Sequence, residues 1–118
     1  MLKKSLMLLF TVCIFVLSAC QDEQFVLTDD NKSKYSEIAW NTIETEQRKH
    51  IVKNWTEADV STFVYKDQWI VPQKDRSHLK KQELVSVSFS TDQDGLLGPI
   101  VVVINPEDDA IVGYFPRD

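Results

Sequence analysis

Cysteine, histidine and positive charge are all scarce in this chain. Two cysteines in 118 residues cannot build a disulfide scaffold or a four-cysteine zinc site. The two histidines, His50 and His78, have no paired ligand spacing around them and read as solvated surface side chains rather than metal ligands. Lysine and arginine number 13 against 18 aspartates and glutamates, a net charge of −5. That balance argues against a nucleic-acid binder, which needs a basic face to displace counterions from phosphates. No serine lies in a G-x-S-x-G or S-x-x-K setting, and no internal repeat is present. What is there is ordinary: 43% hydrophobic and 26% charged residues, in a length that allows one globular domain.

The longest apolar run is Leu6 to Leu17, twelve residues with Thr11 as the one polar interruption, preceded by Lys3 and Lys4. As a helix it reaches only ~18 Å, short of the roughly 30 Å hydrocarbon core, so it reads as the apolar region of a signal peptide covering residues 1–19. Leu17 is the wrong residue for ordinary A-x-A cleavage after Ala19. The string Leu17-Ser18-Ala19-Cys20 instead resembles a bacterial lipobox, which implies diacylglyceryl attachment at Cys20 and a mature chain beginning there. Two acyl chains give stable membrane attachment where one gives only marginal binding. Cys13 leaves with the leader, so the mature chain has no free thiol for catalysis, metal binding or a disulfide. Losing Lys3 and Lys4 moves the charge from −5 to −7.

Residues 20–33 are mostly polar and read as a flexible tether, interrupted by Phe25-Val26-Leu27, and residues 34–118 read as a single α+β domain. Tyr35, Ile38, Ala39, Thr42 and Ile43 share one face of a helix. Ile51, Val52 and Trp55 fall on the opposite side, which predicts a break near Glu44 to Glu46, Thr45 capping a second short helix and Trp40 covered by that second segment. The period then changes to two. Ala58, Val60, Thr62 and Val64 alternate with polar residues; Trp69-Ile70-Val71 forms a short strand stopped by Pro72; Val85, Val87 and Phe89 alternate with Ser86 and Ser88. The unbroken run Ile100 to Ile104 predicts a central strand covered on both faces. Ala110 to Phe115 returns as the last strand, with Gly113 marking a bulge or a close approach. The expected architecture is an N-terminal helix, in two segments, on an antiparallel meander of four or five strands.

Few constellations carry chemistry. Asp92-x-Asp94-Gly95 resembles the middle of a calcium loop, but the register puts Ser90 first and Val101 twelfth, where a bidentate glutamate is required; it reads as a hairpin turn. Trp40, Trp55 and Trp69 offer an aromatic platform, though each lies near an apolar face and core packing is the better reading. The stretch Lys74 to Lys81 gathers four positive charges against Asp75. Lys74, Arg76, His78, Lys80 and Lys81 are therefore the candidate binding surface, suited to anionic headgroups or wall polymers, beside the plainer reading of a solvated loop. No cofactor or metal is implied.

Ile38-Ala39-Trp40-Asn41, Trp55-Thr56-Glu57-Ala58, Gly95-Leu96-Leu97-Gly98-Pro99-Ile100 and Val112-Gly113-Tyr114-Phe115-Pro116-Arg117-Asp118 make the chain similar to small lipoproteins of low-GC Gram-positive bacteria. That family has no established activity and supplies no catalytic residues. The helix-then-meander order also resembles cystatin-like and PepSY domains, an analogy of fold that transfers no function. The expectation is a non-enzymatic binding domain, lipid-anchored on the outer face of the cytoplasmic membrane, whose partner is a protein or a cell-wall polymer. The alternatives are a small hydrolase with carboxylates assembled in space and an accessory subunit of a membrane complex.

Overall fold

Thr28 sets the first boundary. Its hydroxyl accepts from the Asn31 backbone N–H at 3.2 Å, and Asp29 and Asp30 place negative charge in the first turn, where the helix dipole favours it. Helix α1 therefore runs Asp29–Thr42, six residues earlier than apolar periodicity suggests. The computed structural model describes residues 25–117, so the leader, the lipobox Leu17 to Cys20 and residues 21–24 lie outside the described residues. Within them the tether reading needs correction: Phe25 and Leu27 pack against the core, the Phe25 ring meeting Tyr35 edge-on at 6.1 Å. Residues 29–33 are solvent-facing helix, and their polarity conceals a start that only the cap reveals.

Tyr35 and Ala39 are buried along one side of α1, and Ile43, the residue that ends it, is buried with them. Ile43 and Glu44 then take extended conformations, and α2 follows at Thr45–Arg48. Glu44, not Thr45, holds the cap position, without a side-chain cap bond. Arg48 lies over the Trp40 ring at 5.0 Å and its Nε donates to the Trp40 carbonyl at 3.1 Å. The second segment thereby covers the tryptophan that lies off the first stripe.

Four strands follow: β1 Asp59–Val64, β2 Glu83–Phe89, β3 Ile100–Asn105 and β4 Ala110–Tyr114, in the order β1-β2-β3-β4 with every pair antiparallel. The protein is thus α+β, a helix on a four-stranded antiparallel sheet. Trp69-Ile70-Val71 is not a strand. Val71 makes one isolated bridge, giving its N–H to the Tyr114 carbonyl and accepting the Tyr114 N–H. Pro72 has no N–H with which to extend the ladder.

The alternation in β2 and β3 sends side chains to two separate cores. On the front, Val85, Val87, Phe89, Ile100, Val102 and Ile104 meet Tyr35, Ala39 and Ile43 of α1; burying each aliphatic side chain of this kind is worth roughly 1.5–3 kcal/mol. On the back, Leu84 and Val103 meet Tyr65, Ile70 and Leu79, with Phe63, Val112 and Phe115 at the margin. The second cover for β3 is therefore the segment between β1 and β2, whose second part, around Lys74 to Lys81, reads in sequence as a solvated loop.

Gly113 is where that cover touches the sheet. It sits at φ +153°, and a Cβ there would overlap the Val71 carbonyl oxygen and come within 2.7 Å of Ile70 Cγ2. The β3–β4 register shifts between Val103 and Ile104, opposite this point. Both readings of Gly113, bulge and close approach, hold.

Candidate binding pocket

Residues 65–82 leave the sheet and return to it through paired backbone groups. The Tyr65 N–H donates to the Gln82 carbonyl at 2.9 Å, and the Lys81 N–H donates to the Tyr65 carbonyl at 3.0 Å. Gln68 closes the first turn by donating from Nε2 to the Val64 carbonyl at 3.2 Å and accepting the Lys66 N–H. Ile70 and Leu79 then plug into the back core. Between them, Asp75 accepts the Ser77 N–H at 2.9 Å; that bond holds the Asp75 carboxyl below its ordinary pKa.

Arg76 organises the segment. Only 5% exposed, it donates to the carbonyls of Ile70 (3.2 Å), Pro72 (2.5 Å) and, across to β4, Val112 (3.2 Å). Its Nε is buried without an acceptor. The open basic surface expected at Arg76 is thus corrected: its guanidinium is buried and donates to three backbone carbonyls, those of Ile70, Pro72 and Val112.

A depression of about 510 Å³ lies on this segment, lined by Tyr65, Asp67, Gln68, Trp69, Ile70, Gln73, Lys74 and Arg76. Trp69 is 63% exposed, so core packing fails for it, whereas Trp40 and Trp55 pack against the front core. The signal was local: Trp69 and Val71 alternate with Ile70, and Ile70 is the buried one. Of the basic candidates the structure brings together Lys74 and Arg76. His78, Lys80 and Lys81 are exposed but do not line the depression; Lys80 pairs with Asp67 at 3.2 Å.

A second groove, of about 570 Å³, lies where α1 ends against β4. It is lined mainly by Ile43, Val71, Leu97, Ile100, Tyr114 and Phe115, with Glu44, Gln47 and Arg117 at its rim. Burial, and to a lesser degree the Glu44 charge, raises the Tyr114 phenol pKa, and its hydroxyl donates to the Thr42 carbonyl at 3.2 Å. Arg117 donates to the Gly98 carbonyl, Gln47 Oε1 and Thr91 Oγ1 at 3.1–3.3 Å, tying the C-terminal segment to α2 and to the turn after β2.

Asp94 accepts both the Thr91 N–H and the Thr91 hydroxyl, at 2.9 and 2.8 Å, and heads a short helix α3, Asp94–Leu97. His50 Nδ1 lies 3.1 Å from Asp92 Oδ1. Among the described residues no group of three or more His, Cys, Asp or Glu is placed to hold a metal, and no helix is long and apolar enough to cross a membrane. Comparison with protein-family models, curated proteins and solved structures finds no match for this chain, so the two concavities stand on their own geometry.

Proposed function

We propose that the protein is a lipid-anchored binding domain on the outer face of a bacterial cytoplasmic membrane, attached through Cys20, with a protein or cell-wall polymer as partner and no part in nucleic-acid binding. The observation that carries the binding role is the depression on the 65–82 segment, where an exposed indole stands beside Lys74 and the buried Arg76. Glycoside hydrolysis by carboxylates needs two acids close together. Each concavity is lined by a single one, Asp67 in the first and Glu44 in the second. Recognition through an aromatic face and a few polar groups needs nothing more. The helix-then-meander order supports a cystatin-like description of the fold and, with it, the PepSY comparison.

Two experiments test the two halves. Cys20→Ser should leave the precursor uncleaved and unlabelled by palmitate; processing of that variant at the same site refutes the anchor. Crosslinking in intact cells, with the anchor present, should recover a partner that is lost when Trp69 is replaced by alanine. Recovery of an integral membrane protein irrespective of Trp69 points to an accessory subunit instead.

A further inference from the structure

The binding role leaves the ligand unspecified, and we propose that the depression on residues 65–82 takes an anionic sugar, its ring against Trp69 and its phosphate or carboxylate at Lys74, above the buried charge of Arg76. The inference rests on reading the chain as a binding domain and names the chemistry of that site.

Charge comes first. Among the described residues no carboxylate lies within ion-pair distance of Arg76 or Lys74. Asp75 is held by the Ser77 backbone and Asp67 by Lys80. Arg76 faces only neutral carbonyls, with Nε unpartnered. A buried cation without a counter-charge is costly, and in a chain of net charge −5 this is a local positive field. An anion in the depression would complete it.

The rest of the lining selects what carries the anion. An indole 63% exposed offers a flat face on which the apolar C–H side of a sugar ring can lie. The exposed Gln73 amide and the Asp67 carboxylate suit hydroxyls, which both donate and accept. The same carboxylate disfavours a polyanion, and the polar lining disfavours an apolar peptide. A volume of about 510 Å³ is within the range of small-ligand sites.

The test uses the full chain in detergent micelles, isotope-labelled so that the three indole N–H resonances are resolved, with Trp69→Phe assigning one of them. Glucose 6-phosphate and glucuronate should shift the Trp69 resonance saturably at millimolar concentration and leave Trp40 and Trp55 in place. Glucose alone and inorganic phosphate alone should bind at least tenfold more weakly. Read from the backbone amide of Gln73, which also lines the depression, Lys74→Ala should weaken the sugar acid about fivefold and Trp69→Ala at least tenfold, with circular dichroism unchanged. Phosphate binding as well as glucose 6-phosphate, adenosine monophosphate binding more tightly than either, or no shift with any probe each overturns the proposal. So does binding to phosphatidylglycerol vesicles that depends on Lys80 and Lys81 but not on Trp69. None of these outcomes bears on lipid attachment, which the Cys20→Ser experiment reads separately.

Discussion

The two faces of the sheet are closed in different ways. The front is covered by a helix whose buried residues recur at regular spacing and meet a row of valines and isoleucines from β2 and β3. The back is covered by a segment of irregular structure that contributes Tyr65, Ile70 and Leu79 and is tied to β4 by the Val71–Tyr114 bridge, the Arg76 guanidinium and the Gly113 contact. The helix satisfies its own backbone groups, so its packing can be purely apolar. The back cover has no internal ladder, and its orphan carbonyls at Ile70 and Pro72 require Arg76. Such a layer is held by few long-range contacts, which is where local opening is easiest and where a binding surface can be shaped without disturbing the main core.

That contrast can be broken most severely at Gly113. Gly113→Val forces a Cβ into the Val71 carbonyl and should cost about 3 kcal/mol or more, seen as a large fall in the urea midpoint; a change below about 0.5 kcal/mol would mean the back cover does not press on the sheet. Arg76→Met keeps the apolar stem but strands three carbonyls, a loss of roughly 2–3 kcal/mol. Hydrogen exchange should quicken at the Val71 and Tyr114 amides and stay slow at Val87 and Val102. Uniform acceleration on both faces would show the layers to be one cooperative unit.

The front face can be probed by pH. Burial raises the Tyr35 phenol pKa above its ordinary value of 10, with a smaller contribution from the Asp109 charge. The folded state thus favours the neutral phenol, and stability should be level below about pH 10 and fall as pH rises beyond it. Tyr35→Phe should flatten part of that fall in thermal melts between pH 8 and 11.5, and an unchanged slope would remove the front core from the alkaline transition. The smallest effect is expected at the pocket: Trp69→Ala should change stability by less than about 0.5 kcal/mol, because the indole is mostly in solvent. A destabilisation above about 2 kcal/mol would make Trp69 a packing residue.

Much of the front was legible in sequence because its signals are local. Val85, Val87 and Phe89 against Ser86 and Ser88 announce β2, and the reversal of the apolar stripe after Ile43 marks the end of α1. The start of α1 was missed: its signal lies in Thr28-Asp29-Asp30 rather than in hydrophobicity, and the polar first turn reads as tether. The candidate pocket was legible only in fragments. Lys74 stood out as charge, while Arg76 carried the same charge into the interior and Trp69 looked like its two partly buried counterparts.

By itself the sequence determined the fold class and the alternation that makes β2, since each is written within a few neighbouring residues; the bend at Asp92 to Gly95 runs into the short helix α3, and the need for glycine at position 113 comes from Val71 and Ile70, some forty residues away. Tertiary structure alone decided that residues 65–82 form the second layer. It also decided that Arg76 spans 36 positions to reach Val112. Those outcomes depend on which distant carbonyls and side chains the folded chain brings together, and contacts of that range leave no period to read.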